Sequence, residues 1–313
     1  MNISSKSAGG KRLDKNKYRY NNAVKRILSN KAILAVILKA LVPEYKDSSN
    51  EDIRDKYIQG DVRNSIDNSE AQDELASYGS GVEQGAVTYD IRFDALLPMR
   101  TKKHSKILIN LEAQKNTKSL SYKPATRGIY YACNMVTSEY GTVFSHSHYE
   151  KIEKVYSIWI CMSPSSKQAG SLNIYDMNER QISKHECLEK EDYDKLAVVV
   201  YHIGEFEEGS NGDYNMSEMG DLITHALGKD SSPEEVKDYL RTRHNIEIDK
   251  KLEEDIDTMC NWADVIEERG LIRGREEDAL RMIADGELPL EKIAAYTDLP
   301  LERVRELAEK KSA

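Results

Sequence analysis

The chain has 313 residues, 39% hydrophobic and 32% charged, with a net charge of −9; that is enough for one large domain or for a core of about 200 residues with an appendage. Its four cysteines, Cys133, Cys161, Cys187 and Cys260, are far apart and form no CxxC pair, which suggests neither a disulfide framework nor a zinc ribbon and fits a reducing cytoplasm. The longest apolar run, Ala32 to Val42, is interrupted by Lys39 and too short to span a bilayer, and no signal-peptide cleavage pattern follows the basic N-terminus. The expectation is a soluble, globular, cytoplasmic protein with no membrane segment.

In chain order, residues 1–16 read as a flexible basic leader. Between Lys6 and Lys46 stand eleven Lys and Arg against Asp14 and Glu44, a net of about +9, so the rest of the chain carries about −18. Counterion release depends on where cations sit rather than on their sum. The stretch KRLDKNKYRYNNAVKR, with Tyr18 and Tyr20 interleaved, is therefore a candidate nucleic-acid backbone contact as well as a solubilising leader. A helix is expected from Asn21 to Leu41, with Val24, Ile27, Ile33, Leu34, Val36, Ile37 and Leu41 forming a wide stripe that packs on a sheet. The polar stretch from Lys46 to Gly85 shows little periodicity beyond a short helix near Ile53 to Tyr57.

Two strands follow, Val87 to Leu97 (VTYDIRFDALL) and Lys106 to Gln114 (KILINLEAQ). Successive side chains of a strand point to opposite faces. In the first, Val87, Tyr89, Ile91, Phe93, Ala95 and Leu97 form a dry face, and Thr88, Asp90, Arg92 and Asp94 a polar one. In the second, Ile107, Ile109, Leu111 and Ala113 oppose Asn110, Glu112 and Gln114. If the strands are neighbours, opposite residues have Cβ atoms roughly 5 Å apart, which lets Asp90 and Glu112 share one divalent cation. Carboxylates that close repel unless something positive lies between them. A hairpin with one wet side gives the same alternation without chemistry. Against that, Glu-x-Gln here ends a run of branched aliphatics fit for a central strand, where a charge needs a reason.

Pro124 begins a helix to about Glu139, with Ile129, Ala132, Cys133, Val136 and Tyr140 expected on the buried side and Arg127, Tyr131 and Asn134 on another. Lys154 to Met162 and Leu196 to Ile203 are nearly continuous apolar runs that read as central strands covered on both faces, with a short strand at Leu172 to Tyr175 between them. This is the pattern of a three-layer α/β domain over residues 17–204 with a mixed sheet, and GEFEEGSNGDYN is its linker. Residues 205–313 read as an acidic, α-helical region: Met216 to Leu227, Pro233 to His244, Lys250 to Gly270 and Arg275 to Asp285. Ile256, Met259, Ala263 and Ile266 recur at spacings suited to packing in a core or on a second subunit. The end, LPLEKIAAYTDLPLERVRELAEK, looks like a helix-turn-helix whose charges nearly cancel, which argues against strong DNA contact.

The blocks YDIRF, INLEAQ, RGIYY (Arg127 to Tyr131) and KVYSIWIC, with the ending GLIRGREE and IAAYTDLPLERVREL, resemble the PD-(D/E)XK nuclease family transposases, relatives of the recombination-promoting nucleases. The resemblance covers most of residues 20–310. It implies a restriction-endonuclease-like αβββαβ core and a Mg2+-dependent DNA endonuclease linked to transposition or recombination. Carried over position by position, Asp90 matches the family's aspartate, Glu112 its acidic residue, and Gln114 the place where the superfamily name expects Lys. Lys115 or Lys123 could supply the missing charge. Relatives commonly carry a glutamate before the glycine ahead of the first strand, where this chain has Glu83, Gln84 and Gly85. Asp94 shares a face with Asp90, but relatives vary there, and Asp90 ranks first.

On this reading Asp90 and Glu112 are the metal ligands, with the Ala113 carbonyl as a further candidate oxygen, and Asp90, Glu112 and Gln114 the catalytic set. Mg2+ is typically held by one or two carboxylates plus substrate phosphate. Gln114 both accepts and donates, so it could orient a water or bond a phosphate oxygen. Arg127 could contact the DNA backbone or pair with Asp90 or Glu139. Two other readings stay open. One is a degenerate nuclease fold kept as a DNA-binding or assembly module. The other is a zinc-dependent hydrolase using His146, His148, His185 and Cys187. A homodimer through the C-terminal helices would give double-strand cutting its two sites.

Overall fold

The computed structural model describes residues 8–60, 62–64, 89–98, 105–115, 120–182, 188–204, 216–227 and 231–312, without the side chains of 8–17, 64, 216, 262–270, 273 and 310–312. Val87, Thr88, Glu83, Gln84, Gly85, His185, Cys187 and residues 205–215 of the expected linker lie outside the described residues. The chain forms two compact units: Asn21–Ile256, and the described residues up to Tyr20 together with those from Asp257 onward.

The basic segment and the apolar run after it form two helices rather than one, α1 (Ala8–Leu28) and α2 (Lys31–Leu41). The break falls at Asn30, whose side chain accepts the Ala32 N–H at 2.9 Å. This satisfies a donor that a starting helix leaves open, so the sequence stops and restarts there. α1 reaches back to Ala8, into the stretch expected to be a leader. A short helical turn, α3 (Asn50–Asp52), runs into a π-helical turn over Ile53–Tyr57.

A mixed sheet follows, β1 (Arg63–Asn64), β2 (Ile91–Leu96), β3 (Lys106–Gln114), β4 (Lys154–Cys161), β5 (Leu172–Asp176) and β6 (Leu196–His202), in the spatial order β1-β2-β3-β4-β6-β5. β2 and β3 are antiparallel, with Ile91 opposite Leu111 and Phe93 opposite Ile109. β3, β4 and β6 run parallel. β5 lies between β4 and β6 in the chain but not in the sheet: it pairs antiparallel with β6 at the edge, which suits its largely exposed side chains. β3, β4 and β6 are buried along nearly their whole lengths, as strands covered on both faces must be.

One face of the sheet carries Leu108, Val155, Trp159, Cys161, Val198 and Val200. It is covered by α4 (Pro124–Ser138) through Tyr131, Ala132 and Met135. The buried side of α4 is rotated from the one its apolar spacing suggests: Cys133 is exposed and Ile129 is 44% exposed, while Tyr131 is buried. Gly128 sets this rotation, because a Cβ there would sit 2.5 Å from Val198 Cγ1 and 2.9 Å from Trp159 Nε1. Only a bare backbone lets the helix lie this close.

After the short helix α5 (Lys190–Tyr193) and β6 come α6 (Met216–Leu227), which packs on α2, and α7 (Pro233–His244), started by a capping box between Ser232 and Glu235. α8 (Lys250–Asp285) is one helix of 36 residues that passes Gly270 and Gly274 without a break. In the second unit, α9 (Leu290–Thr297) and α10 (Leu301–Ser312) are joined at Asp298, whose φ is +53°. They close on Ala279 of α8 through Ile293, Leu299, Val304 and Leu307. No helix among the described residues is long and apolar enough to cross a membrane.

Candidate carboxylate site

Asp90 directly precedes β2, and in the antiparallel register set by Ile91 and Leu111 its position is opposite Glu112 near the end of β3. The two residues are cross-linked through the backbone. The Asp90 N–H donates to Glu112 Oε1 at 2.9 Å, and the Ala113 N–H donates to Asp90 Oδ2 at 3.3 Å. The parity of the two strands thus brings both carboxylates together on one side of the sheet. Asp94 lies four residues further along, opposite Leu108, and its carboxylate takes the Lys106 ammonium at 2.6 Å.

Glu112 is only 6% exposed. Burial holds its carboxyl well above the usual range, and the neighbouring Asp90 charge pushes the same way; the Asp90 N–H, Arg127 and Lys25 pull it back. Asp90 is compensated from α1, where Lys25 Nζ reaches Asp90 Oδ1 at 2.6 Å.

Gln114 follows two residues after Glu112 on the same face of β3. Its Oε1 lies 3.2 Å from the Tyr122 hydroxyl, which in turn receives Arg127 Nη1 at 2.6 Å. Arg127 forms neither of the expected acid pairs. It donates from Nε to the Tyr131 hydroxyl at 3.0 Å, and from Nη2 to the same oxygen. Its guanidinium lies 4.7 Å, 4.9 Å and 5.7 Å from the ring centres of Tyr122, Tyr131 and Trp159, an aromatic cradle that favours a delocalised cation. Trp159 is fixed beneath it by an indole N–H donated to Ser157 Oγ at 3.0 Å.

Lys25, Tyr122, Tyr131 and Trp159 are parts of this constellation that the strand pattern does not reveal. The Arg127 and Tyr131 spacing of four, one helical turn, is the one local signal that joins two of them. Of the lysines considered beside Gln114, Lys123 is exposed and Lys115 has a buried ammonium.

The donor set tests what ion could fit. Asp90 and Glu112 offer oxygen only, and a desolvated carboxylate beside a second one gains from a nearby cation. Two carboxylates suit an ion such as Mg2+ that keeps several waters. No three His, Cys, Asp or Glu among the described residues gather as a metal site. His146 and His148 are both exposed, with ring nitrogens at Ser145 Oγ (3.3 Å) and Glu150 Oε1 (3.1 Å). A cavity of about 710 Å³ lined by Leu41, Tyr57, Ile107, Lys154 and Tyr156 lies at the N-terminal ends of β3 and β4, away from Glu112 and Gln114. Comparison with protein-family models, with curated proteins and with solved structures finds no match to the chain.

Proposed function

We propose that the protein is a Mg2+-dependent DNA endonuclease of the PD-(D/E)XK type, linked to transposition or recombination, with Asp90 and Glu112 as metal ligands and Gln114 beside them. The observation that carries this reading is the pairing of a buried, charge-stressed Glu112 with Asp90 at the ends of two adjacent strands. The sequence blocks YDIRF and INLEAQ that suggested the family are the ones that supply it. An α/β unit with α4 over one face of a mixed sheet is compatible with this reading.

When bound, Mg2+ would activate a water and neutralise charge growing on the phosphate oxygens. The chain's own contribution is positional. The Asp90 and Ala113 N–H groups hold the two carboxylates in register, and Arg127 adds positive charge from behind the aromatic cradle. Cations of the N-terminal segment, among them the exposed Arg19, would meet the DNA backbone.

The test is nicking of supercoiled plasmid by the purified chain in Mg2+ or EDTA, beside Asp90→Ala and Glu112→Ala. Activity in Mg2+ alone, reduced on the order of a hundredfold or more in each variant, is expected. Nicking that survives both substitutions would exclude the site.

One observation favours a second reading, a DNA-binding or assembly module without catalysis. Lys25 already neutralises Asp90 at 2.6 Å, so the pair holds internal compensation without a metal. Gel-shift binding with no nicking in any divalent cation would select it.

A further inference from the structure

Resting on the nuclease reading, we infer that Tyr122 is a positioning residue that turns Gln114 into a dedicated hydrogen-bond donor, so that its amide N–H is presented to a phosphate oxygen of the substrate. The inference comes from a chain of hydrogen bonds whose direction is forced. A guanidinium can only donate, so at 2.6 Å from Arg127 Nη1 the Tyr122 oxygen must accept. The one proton of Tyr122 is then left for its other neighbour, Gln114 Oε1 at 3.2 Å. Oxygen and nitrogen of an amide are usually assigned by inference, but here the alternative is unfavourable. A flipped Gln114 would aim an N–H at an oxygen that already accepts from Arg127, and would leave the Tyr122 proton without its acceptor.

Arg127 cannot easily release this arrangement. Its guanidinium is stacked among three rings and bonded to the Tyr131 hydroxyl, and a bare Gly128 holds that turn of α4 against the sheet. The relay Arg127, Tyr122, Gln114 thus spends the carbonyl of Gln114 on Tyr122 and leaves its NH2 group facing away from that ring. Gln114 is only partly buried, and Nε2 makes no hydrogen bond to another described residue. Its backbone position places it on the face of β3 that carries Glu112. A side chain in this state does not polarise a water through its carbonyl. It donates to an anionic oxygen, and the chemical class it fits is a non-bridging oxygen of a phosphodiester.

Two measurements test the relay, one of them independent of activity. In the ¹⁵N-labelled 313-residue chain the side-chain NH2 resonances of Gln114, assigned by their loss in Gln114→Ala, should move in Tyr122→Phe, with the fold unchanged by circular dichroism. In plasmid nicking, Tyr122→Phe should lose roughly tenfold in rate, the value of one well-placed hydrogen bond, and Tyr122→Phe should add nothing to Gln114→Ala. A lysine needs no carbonyl to orient it, so whatever nicking Gln114→Lys retains should be insensitive to Tyr122→Phe. Unmoved Gln114 resonances would overturn the relay whatever the nicking shows. Moved resonances with unchanged nicking by Tyr122→Phe, or an equal loss in the Gln114→Lys background, would overturn its role in the reaction. A native chain that does not nick at all refutes the nuclease reading, and with it that role, while the resonances still decide whether the relay exists.

Discussion

Gly128→Ala exposes the contact on which the site is built, because the expected sign is opposite to the usual one. In a helix interior this exchange normally stabilises by about 1 kcal/mol. At Gly128 the new methyl would lie 2.5 Å from Val198 Cγ1 and 2.9 Å from Trp159 Nε1, where comfortable carbon contacts need about 3.5 to 4.0 Å. Either α4 retreats by roughly an ångström, or Val198 and Trp159 leave their rotamers; overpacking of this kind costs about 1–3 kcal/mol. Set against the helix gain, the net is a loss of up to about 2 kcal/mol, a fall in Tm of up to roughly 8 °C for a unit of this size. Urea and thermal unfolding followed by circular dichroism would measure it. Gly274 of α8 is the control, since a Cβ there meets nothing within 4 Å, and Gly274→Ala should stabilise its own unit. A Gly128→Ala protein more stable than the native chain, as an ordinary helix position would give, would refute the claim that this glycine sets how closely α4 lies on the sheet.

Two further outcomes follow from charge. Glu139 is buried, with Oε2 accepting the Glu153 N–H at 2.8 Å and Oε1 unpartnered among the described residues; burial raises its carboxyl from 4.5 to about 7. A folded value above the unfolded one means that its contribution to stability is whole below the unfolded value and is lost as pH rises through about 7. Glu139→Gln should therefore gain stability over the native chain as pH rises from 4.5 to about 7 and keep that gain above it, by up to roughly 3 kcal/mol, and a difference in urea midpoint independent of pH would contradict this. Lys25→Met removes the ammonium that compensates Asp90. It should lower the Tm in EDTA and enlarge the stabilisation given by Mg2+, and an unchanged Mg2+-induced shift would show that lysine and metal do not compete.

Much of the fold and part of the site could be read from the residues, for physical reasons that differ from element to element. A period of two is local, so the alternation in β2 and β3 was enough to set Asp90 and Glu112 on one face, and the unbroken apolar runs of β4 and β6 were enough to mark central strands. Helix faces were harder. Ile129 and Cys133 look like core, but the face of α4 is set by Gly128 meeting Val198 and Trp159, a contact whose weight lies in an absent side chain. The break between α1 and α2 had a local signal in Asn30, but the apolar periodicity runs through it. Lys25 lies 65 positions before Asp90 in the chain, and Tyr122 joins Gln114 from 8 positions further on; nothing in spacing or composition ties such pairs together. The edge position of β5 depends on strand order, which the alternation of a five-residue strand does not encode.

Joint action of Asp90 and Glu112 on one divalent cation is tested, without any assumption about substrate, by calorimetric titration of the purified chain with Mg2+, and with Mn2+ as a second probe. It predicts one site in the native protein, lost alike in Asp90→Asn and in Glu112→Gln while both variants keep the native circular dichroism spectrum. Binding undiminished in both folded variants would contradict it.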